Sequence, residues 1–286
     1  MSSQWKSILG QLLIHLVLII VVFIVLFPIL WVVSMSLDPR NIDRPTELTL
    51  IPPGATLDAY IRVLKQPSPN PVAFHELFVN SIIVSVGTIL FSIVLAVTAA
   101  YAFSRFLFPG RQLGMLFFIF LQMMPAGATL APLFVILQAL KLRTELLGLI
   151  IAYASGTLPF AIWNMKGFID TIPKELEEAA LIDGCSPSQT FLRIMMPLAL
   201  PGLAVTALFG WMSGWTEVIL AITFLEDPSK FTLSMVLYGM QGQYSTSTPW
   251  SDFAAFSILF TIPPLIVAFF LQRYIVAGLT VGGVKG

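Results

Sequence analysis

Charge is scarce in this chain. Of its 286 residues, Lys and Arg supply 15 and Asp and Glu supply 15, so 10% are charged and the formal net charge is zero. A soluble domain typically carries about a quarter charged residues, so a water-exposed globule is a poor description of this composition. The lack of a basic stripe leaves no footprint for nucleic acid. There is one cysteine, Cys185, and there are two histidines, His15 and His75. A lone cysteine has no partner for an internal disulfide, and these three side chains lie too far apart in sequence to suggest a metal cluster. No stretch matches G-x-x-x-x-G-K-[ST], the backbone nest that cradles nucleotide phosphates. Any nucleotide-driven work would therefore fall to another polypeptide. Paired catalytic residues at membrane depth are missing too, which argues against an intramembrane hydrolase.

What the chain has in abundance is apolar sequence, at 57% hydrophobic residues. A hydrocarbon core about 30 Å thick takes roughly 20 apolar residues at 1.5 Å rise each. Six segments meet that length, near residues 9–33, 78–103, 113–140, 146–163, 198–225 and 253–277. The first continues past Pro28 without a small-residue cleavage site, so it is expected to be retained rather than removed as a signal peptide. The expectation is an all-α integral membrane protein of six transmembrane helices in one domain, 1–286. The short SRFLFPGR turn holds two cations and no acid, which favours cytoplasmic termini by the bias of Lys and Arg toward that side. A proline-rich outer loop then spans about 38–77, with a short helix expected near LDAY, and a last outer loop spans about 226–252.

The polar insert at about 169–197 interrupts this pattern. Pro173 suits a first helical turn, and Glu175, Glu177 and Glu178 complement a positive helix N-terminus, so a helix is expected to start near Ile172. Leu176, Ala179, Ala180 and Asp183 recur at spacings of three and four, which predicts one narrow face able to approach another surface closely. Gly184 permits the positive φ that stops the helix. Ser186 then caps a second helix, Pro187 fits its first turn, and Gln189 completes a capping box. The product is a helix, a sharp turn and a second helix leading into the fifth apolar segment.

Ionisable and polar residues at lipid depth are costly and so are candidates for function. Glu217 near the end of the fifth segment is the clearest. Gln122, followed by Met123, Met124 and Pro125, marks a polar, kinkable point in the third, while Pro132 and Pro159 add further breaks. Glu217 and Gln122 are taken as candidate pathway or gate residues. Broken helices are tolerated in lipid where neighbouring protein satisfies the freed carbonyls, which points to the centre of the bundle.

The order Glu178, Ala179, Ala180, Gly184, Ile194, Pro197 resembles the EAA loop of permease subunits of binding-protein-dependent ABC importers, with Met196 where Leu is usual. WSDFAAFS, YAFSRFLFPG and the ending RYIVAGLTVGGVKG resemble the smaller permease subunit of maltose-type sugar importers. The resemblance implies a transport subunit, not an enzyme, in a bacterial or archaeal cytoplasmic membrane. Its implied partners are an ATPase dimer, a second and larger permease subunit, and an extracytoplasmic sugar-binding protein. ATP and Mg would be held by the ATPase, with no cofactor on this chain. It further implies ATPase coupling through Glu178, Ala179, Ala180, Asp183, Gly184, Ile194 and Pro197, and a tail contact through Gly282, Gly283 and Lys285. Binding-protein contact is implied for Gln243, Tyr244, Ser245, Thr246 and Ser247. The implied cargo is a di- or oligosaccharide such as maltose, trehalose or a related glucoside. An ion-coupled secondary transporter or half-transporter, with Glu217 as its coupling acid, is the alternative.

Overall fold

The computed structural model describes residues 3–40, 49–241 and 249–283. Among these, every regular element is helical, because a chain in lipid must satisfy each backbone N–H and C=O internally. The membrane-length helices are α1 (Ser3–Ser36), α3 (Phe74–Arg105), α6 (Leu146–Asp170) and α13 (Trp250–Gly283), with the short α2 (Asp58–Lys65) between the first two. α4 (Arg111–Gln122) and α5 (Ala126–Ala139) follow α3. α7 (Glu175–Ile182), α8 (Pro187–Thr190), a π-helical segment Phe191–Met195 and α9 (Met196–Leu198) precede α10 (Leu200–Thr216). α11 (Ile219–Phe224) and α12 (Leu233–Gly239) complete the set.

Two of the six expected spans are broken. Among the described residues, four helices are long and apolar enough to cross a membrane, and the count reaches six when each of two bent pairs is taken as one span. The third segment is bent by 104° between α4 and α5, so the kink expected at Gln122 to Pro125 is a full change of direction. The fifth segment is not one continuous helix either. α10 joins the preceding helical stretch at 76°, and it stops at Glu217, where ψ swings to 136° before α11 begins.

The chain divides into two compact units. The first comprises Met1–Phe74 and Gly239–Phe260. Here Thr49 and α2 meet the end of α1. Ser34 Oγ donates to the Thr49 carbonyl at 2.6 Å, and Ser36 Oγ lies 2.8 Å from the Tyr60 hydroxyl of α2, the short helix expected near LDAY. Arg62 on α2 pairs with Asp252 on α13 at 2.6 Å, while Ser251 Oγ donates to the Asp38 carbonyl at 2.7 Å. His15 bonds within its own turn, to the Gln11 carbonyl at 2.7 Å.

The second unit comprises His75–Tyr238 and Thr261–Gly286. Its organising helix is α3, whose buried face is a ladder of small residues: Ser81, Ser85, Thr88, Ser92, Ala96, Ala100 and Ser104. Small side chains let membrane helices approach closely and leave hydroxyls to bond across. A Cβ added at Gly214 of α10 would sit 2.6 Å from the Ser85 Cα, so the two backbones meet with no room for a methyl group. Ser92 of α3 bonds Thr157 of α6 at 3.0 Å, and Asn164 of α6 donates to the Gly202 carbonyl and Thr206 Oγ1 of α10 at 3.1 and 2.9 Å. Around these polar rungs pack two apolar clusters, one holding Leu149, Tyr153 and Phe224, the other Ala161, Met165, Ile169 and Met195.

Candidate functional site

The polar insert folds as a helix, a turn and a second helix. α7 starts at Glu175, three residues later than the Ile172 expected, because Pro173 and Lys174 supply only the carbonyls of its first turn. Gly184 has φ +88°, the left-handed region a side chain disfavours. Ser186 then caps α8. Its hydroxyl accepts from the Gln189 N–H at 3.3 Å, and the Gln189 side chain accepts from the Ser186 N–H at 2.8 Å. Cap, box and Pro187 stand where the sequence puts them.

The face expected from Leu176, Ala179, Ala180 and Asp183 is divided. Ala180 is buried at 7% exposure, while Leu176, Ala179 and Asp183 are exposed together with Glu178, Leu181 and Ile182. One helical turn carries residues to both sides when the second helix packs beneath it, and Ala180 is the position that points down. Gly184 and Pro197 are exposed and Ile194 is half-buried. Gly282 and Gly283 fall in the last turn of α13. Lys285 and the stretch Gln243, Tyr244, Ser245, Thr246 and Ser247 lie outside the described residues.

Glu177 has a role that the sequence does not reveal. Read as one of three acids at a helix N-terminus, it is instead turned inward against α3. Arg105 Nε pairs with Glu177 Oε1, and the two side chains are only 8% and 11% exposed. The Tyr101 hydroxyl donates to Glu177 Oε2 at 2.8 Å, and Arg105 Nη2 donates to the Ile172 carbonyl at 2.8 Å. Next to it, Ser104 Oγ donates to Asp170 Oδ1 at 2.6 Å, and Lys166 pairs with the other oxygen of Asp170. The Tyr101 ring meets Phe191 with centroids 4.9 Å apart, so one side chain of α3 touches both halves of the insert. The sequence did offer a signal: two cations and no acid in SRFLFPGR call for counter-charges elsewhere in the chain.

A second feature is a cavity of about 780 Å³. Gln122, Thr129, Tyr153, Ser155, Phe160, Ser213 and Glu217 line it, with Pro132 and Pro159 in its wall; the breaks expected at these two prolines are not there, since α5 and α6 run on through them. Both polar residues singled out in the apolar segments, Gln122 and Glu217, thus come to one space. Glu217 is half-buried, and its carboxylate caps α11: Oε1 accepts from the Ile219 and Leu220 amides at 2.8 and 3.1 Å. Its carbonyl accepts from the Tyr153 and Ser234 hydroxyls at 3.2 and 3.0 Å. The break between α10 and α11 is therefore held from four sides rather than left loose.

Among curated proteins, the chain is 34% identical to the galactooligosaccharides transport system permease protein GanQ of Bacillus subtilis, over 91% of this chain and 90% of that one. It is 34% identical to the trehalose/maltose transport system permease protein MalG of Thermococcus litoralis, over 98% and 99%. Among solved structures, a bacterial ABC transporter involved in the import of the acidic polysaccharide alginate aligns with a TM-score of 0.77 at 26% identity, over 96% of this chain and 99% of that one. Residues 69–281 match the family described as "Binding-protein-dependent transport system inner membrane component". With its broken apolar helices and its capped polar insert, the chain belongs to that family of inner-membrane transport components.

Proposed function

We propose that this chain is a transmembrane permease subunit of an ATP-driven importer for di- or oligosaccharides. The observation that carries the reading is the insert from Glu175 to Met195, a rigid element with an exposed apolar and acidic tip that is joined directly to two membrane helices. Ile182 at that tip is 86% exposed, with Leu181 and Leu176 of the same helix exposed beside it, and apolar groups clustered on a polar insert are best explained by a partner surface. Glu178, Ala179, Asp183 and Gly184 surround it and make up the ATPase-coupling surface, with Ile194 and Pro197 supporting it from the second helix. Ala180 contributes by packing, since it faces inward. A pair of separate ATPase subunits, holding ATP and Mg, closes against this surface.

The insert then faces the cytoplasm, as do both termini, and Gly282, Gly283 and Lys285 supply a further ATPase contact. A second, larger permease subunit completes the membrane bundle. A sugar-binding protein docks on the opposite side, where Gln243, Tyr244, Ser245, Thr246 and Ser247 meet it. Transport proceeds by alternating access: closure of the ATPases on ATP opens the pathway outward, and hydrolysis resets it inward. The cavity at Gln122 and Glu217 is this subunit's share of the pathway, and its volume lies within the roughly 300–1,000 Å³ of small-molecule sites. Hydroxyls from Thr129, Tyr153, Ser155 and Ser213 with the ring of Phe160 suit a polyhydroxylated ring with apolar faces. The cargoes named for the relatives, trehalose and maltose for one and galactooligosaccharides for another, are of that class.

A secondary transporter would need an acid free to exchange protons or bind sodium. Glu217 is engaged instead by the amides of Ile219 and Leu220, which supports a part in holding the break. The test is uptake of labelled maltose and trehalose into proteoliposomes containing the chain with its ATPase, second permease and binding protein. Uptake that requires internal ATP supports the proposal, whereas uptake that follows an imposed ion gradient without ATP overturns it.

A further inference from the structure

α3 is the odd member among the long helices described. α1 contains Pro28, α6 contains Pro159 and α13 contains Pro263 and Pro264, but the 32 residues of α3 hold no proline. A helix of that length spans about 48 Å, and it runs unbroken from Phe74 to Arg105 without proline, a leading cause of sharp kinks. Both of its ends are fastened by specific polar contacts. At one end Arg105 and Tyr101 hold Glu177 of α7, and Arg105 also holds the Ile172 carbonyl in the link from α6 to α7. At the other end Asn80 Nδ2 donates to the Ser229 and Phe231 carbonyls at 2.8 and 3.0 Å, and Ser81 Oγ accepts from the Leu233 N–H at 2.8 Å.

The segment gripped at that second end leads straight to the cavity. Ser234, next to Leu233, donates to the Glu217 carbonyl at 3.0 Å in the break between α10 and α11. The same end of α3 packs on α10 directly, with Phe78 edge-on to Trp215 and Ser85 against Gly214. A continuous path of buried ion pair, unbroken helix and hydrogen bonds thus joins the first turn of α7 to the cavity wall.

We propose that α3 is the transmission rod of this permease, clamped to the coupling helix by Arg105, Tyr101 and Glu177 and, by Asn80 and Ser81, to the Ser229–Leu233 segment that Ser234 ties to the break at Glu217. This rests on the importer reading and adds a route to it. The covalent connections of the insert run to α6 and α10, and both of those paths pass through a bend or a proline. α3 is unbroken, and it is joined to the insert only through side chains. Arg105, Glu177, Asn80 and Ser81 are positioning residues, since none of them is needed to touch sugar or nucleotide.

The test uses the complete complex in proteoliposomes, with maltose and trehalose as probes, comparing wild type with Arg105→Gln, Glu177→Gln, the exchange Arg105→Glu with Glu177→Arg, and the far-end pair Asn80→Ala with Ser81→Ala. Copurification of the ATPase, basal hydrolysis, hydrolysis stimulated by sugar-loaded binding protein, and uptake are measured together. The rod predicts that each single change and the far-end pair keep the ATPase bound and basal hydrolysis intact while stimulation falls about fivefold or more, the lower bound of an ordinary coupling factor. It also predicts that the charge exchange restores stimulation toward wild type, which a general packing defect would not allow. Stimulation unchanged in the single variants, or lost in them and not restored by the exchange, overturns the rod. Should the Arg105 or Glu177 variants release the ATPase, the far-end pair decides: lost stimulation there supports the rod and unchanged stimulation overturns it. A wild-type complex that no sugar-loaded binding protein stimulates overturns the importer reading instead, and the rod falls with it.

Discussion

Replacing Gly214 by Ala probes the contact on which the packing of α3 and α10 depends. The new Cβ would lie 2.6 Å from the Ser85 Cα and 3.2 Å from the Ser85 N, both backbone atoms that no rotamer change can move. Carbon atoms in contact prefer about 3.5–4.0 Å, so the helices must part by about 1 Å along much of their contact. Overpacking of this kind costs about 1–3 kcal/mol, while Ala in place of Gly returns about 1 kcal/mol of helix propensity. Gly167→Ala separates the two effects. That glycine is also within a helix, α6, but a Cβ there has nothing within 4 Å. The difference between the variants should therefore be the packing cost alone. At about 2–4 °C per kcal/mol for a chain of this order of size, Gly214→Ala should melt about 2–12 °C below Gly167→Ala. Both are compared in the same detergent at one scan rate, because such unfolding is often irreversible. Trp211 and Trp215, stacked at 5.3 Å beside the site, report the loosening through their fluorescence. Equal melting of the two variants, or a higher value for Gly214→Ala, would show that the close approach of α3 and α10 is not as described.

Other expectations follow from the same contacts. Gly184→Ala must place a side chain at φ +88°, costing about 1–2 kcal/mol by backbone strain; ATPase copurification should weaken, and unaltered copurification with unaltered stimulation would argue against a role for the turn. Glu217→Gln keeps an oxygen to accept the Ile219 and Leu220 amides, so uptake should persist, while Glu217→Ala removes the cap and should lower it. Loss of uptake in the Gln variant would restore an acid-coupled mechanism. Asp38 is held below its ordinary carboxylate range by hydrogen bonds from the Arg40 guanidinium. A folded-state pKa that is lowered gives stability that is complete above the unfolded value and lost as pH falls through the folded one. Melting temperature should accordingly fall less between pH 5 and pH 3 in Asp38→Asn than in wild type, as checked by melting at graded pH, and parallel curves would contradict the assignment.

Local chemistry was legible in the sequence where it acts over a few residues. Ser186, Pro187 and Gln189 cap their own helix, Gly184 turns its own chain, and the runs of apolar residues are long enough to find the four membrane-length helices and the two bent pairs. Sequence separation is what hid the rest. The partner of Glu177 lies 72 residues away at Arg105, so nothing within its own helix distinguishes it from Glu175 or Glu178. The division of the α7 face depends on what packs beneath Ala180, which periodicity alone does not state. The turn at Gln122 to Pro125 was marked by its polar residue and its proline, though not the 104° of its bend, and at Glu217 the acid was marked but not the end of the helix there. Hydropathy records how long a stretch can lie in lipid, whereas direction is set by Pro125 in one case and by side-chain bonds to freed amides in the other.

The central claim is that an exposed helical insert couples this membrane subunit to a separate ATPase. It is tested most directly by the ATPase activity of the reconstituted complex, with and without binding protein loaded with maltose or trehalose, in wild type and in Glu178→Ala. The account predicts that sugar-loaded binding protein raises hydrolysis in wild type, and that Glu178→Ala abolishes the rise while the membrane subunits still assemble. Failure of any ATPase to copurify with the wild-type chain, with sugar uptake following an ion gradient, would contradict it.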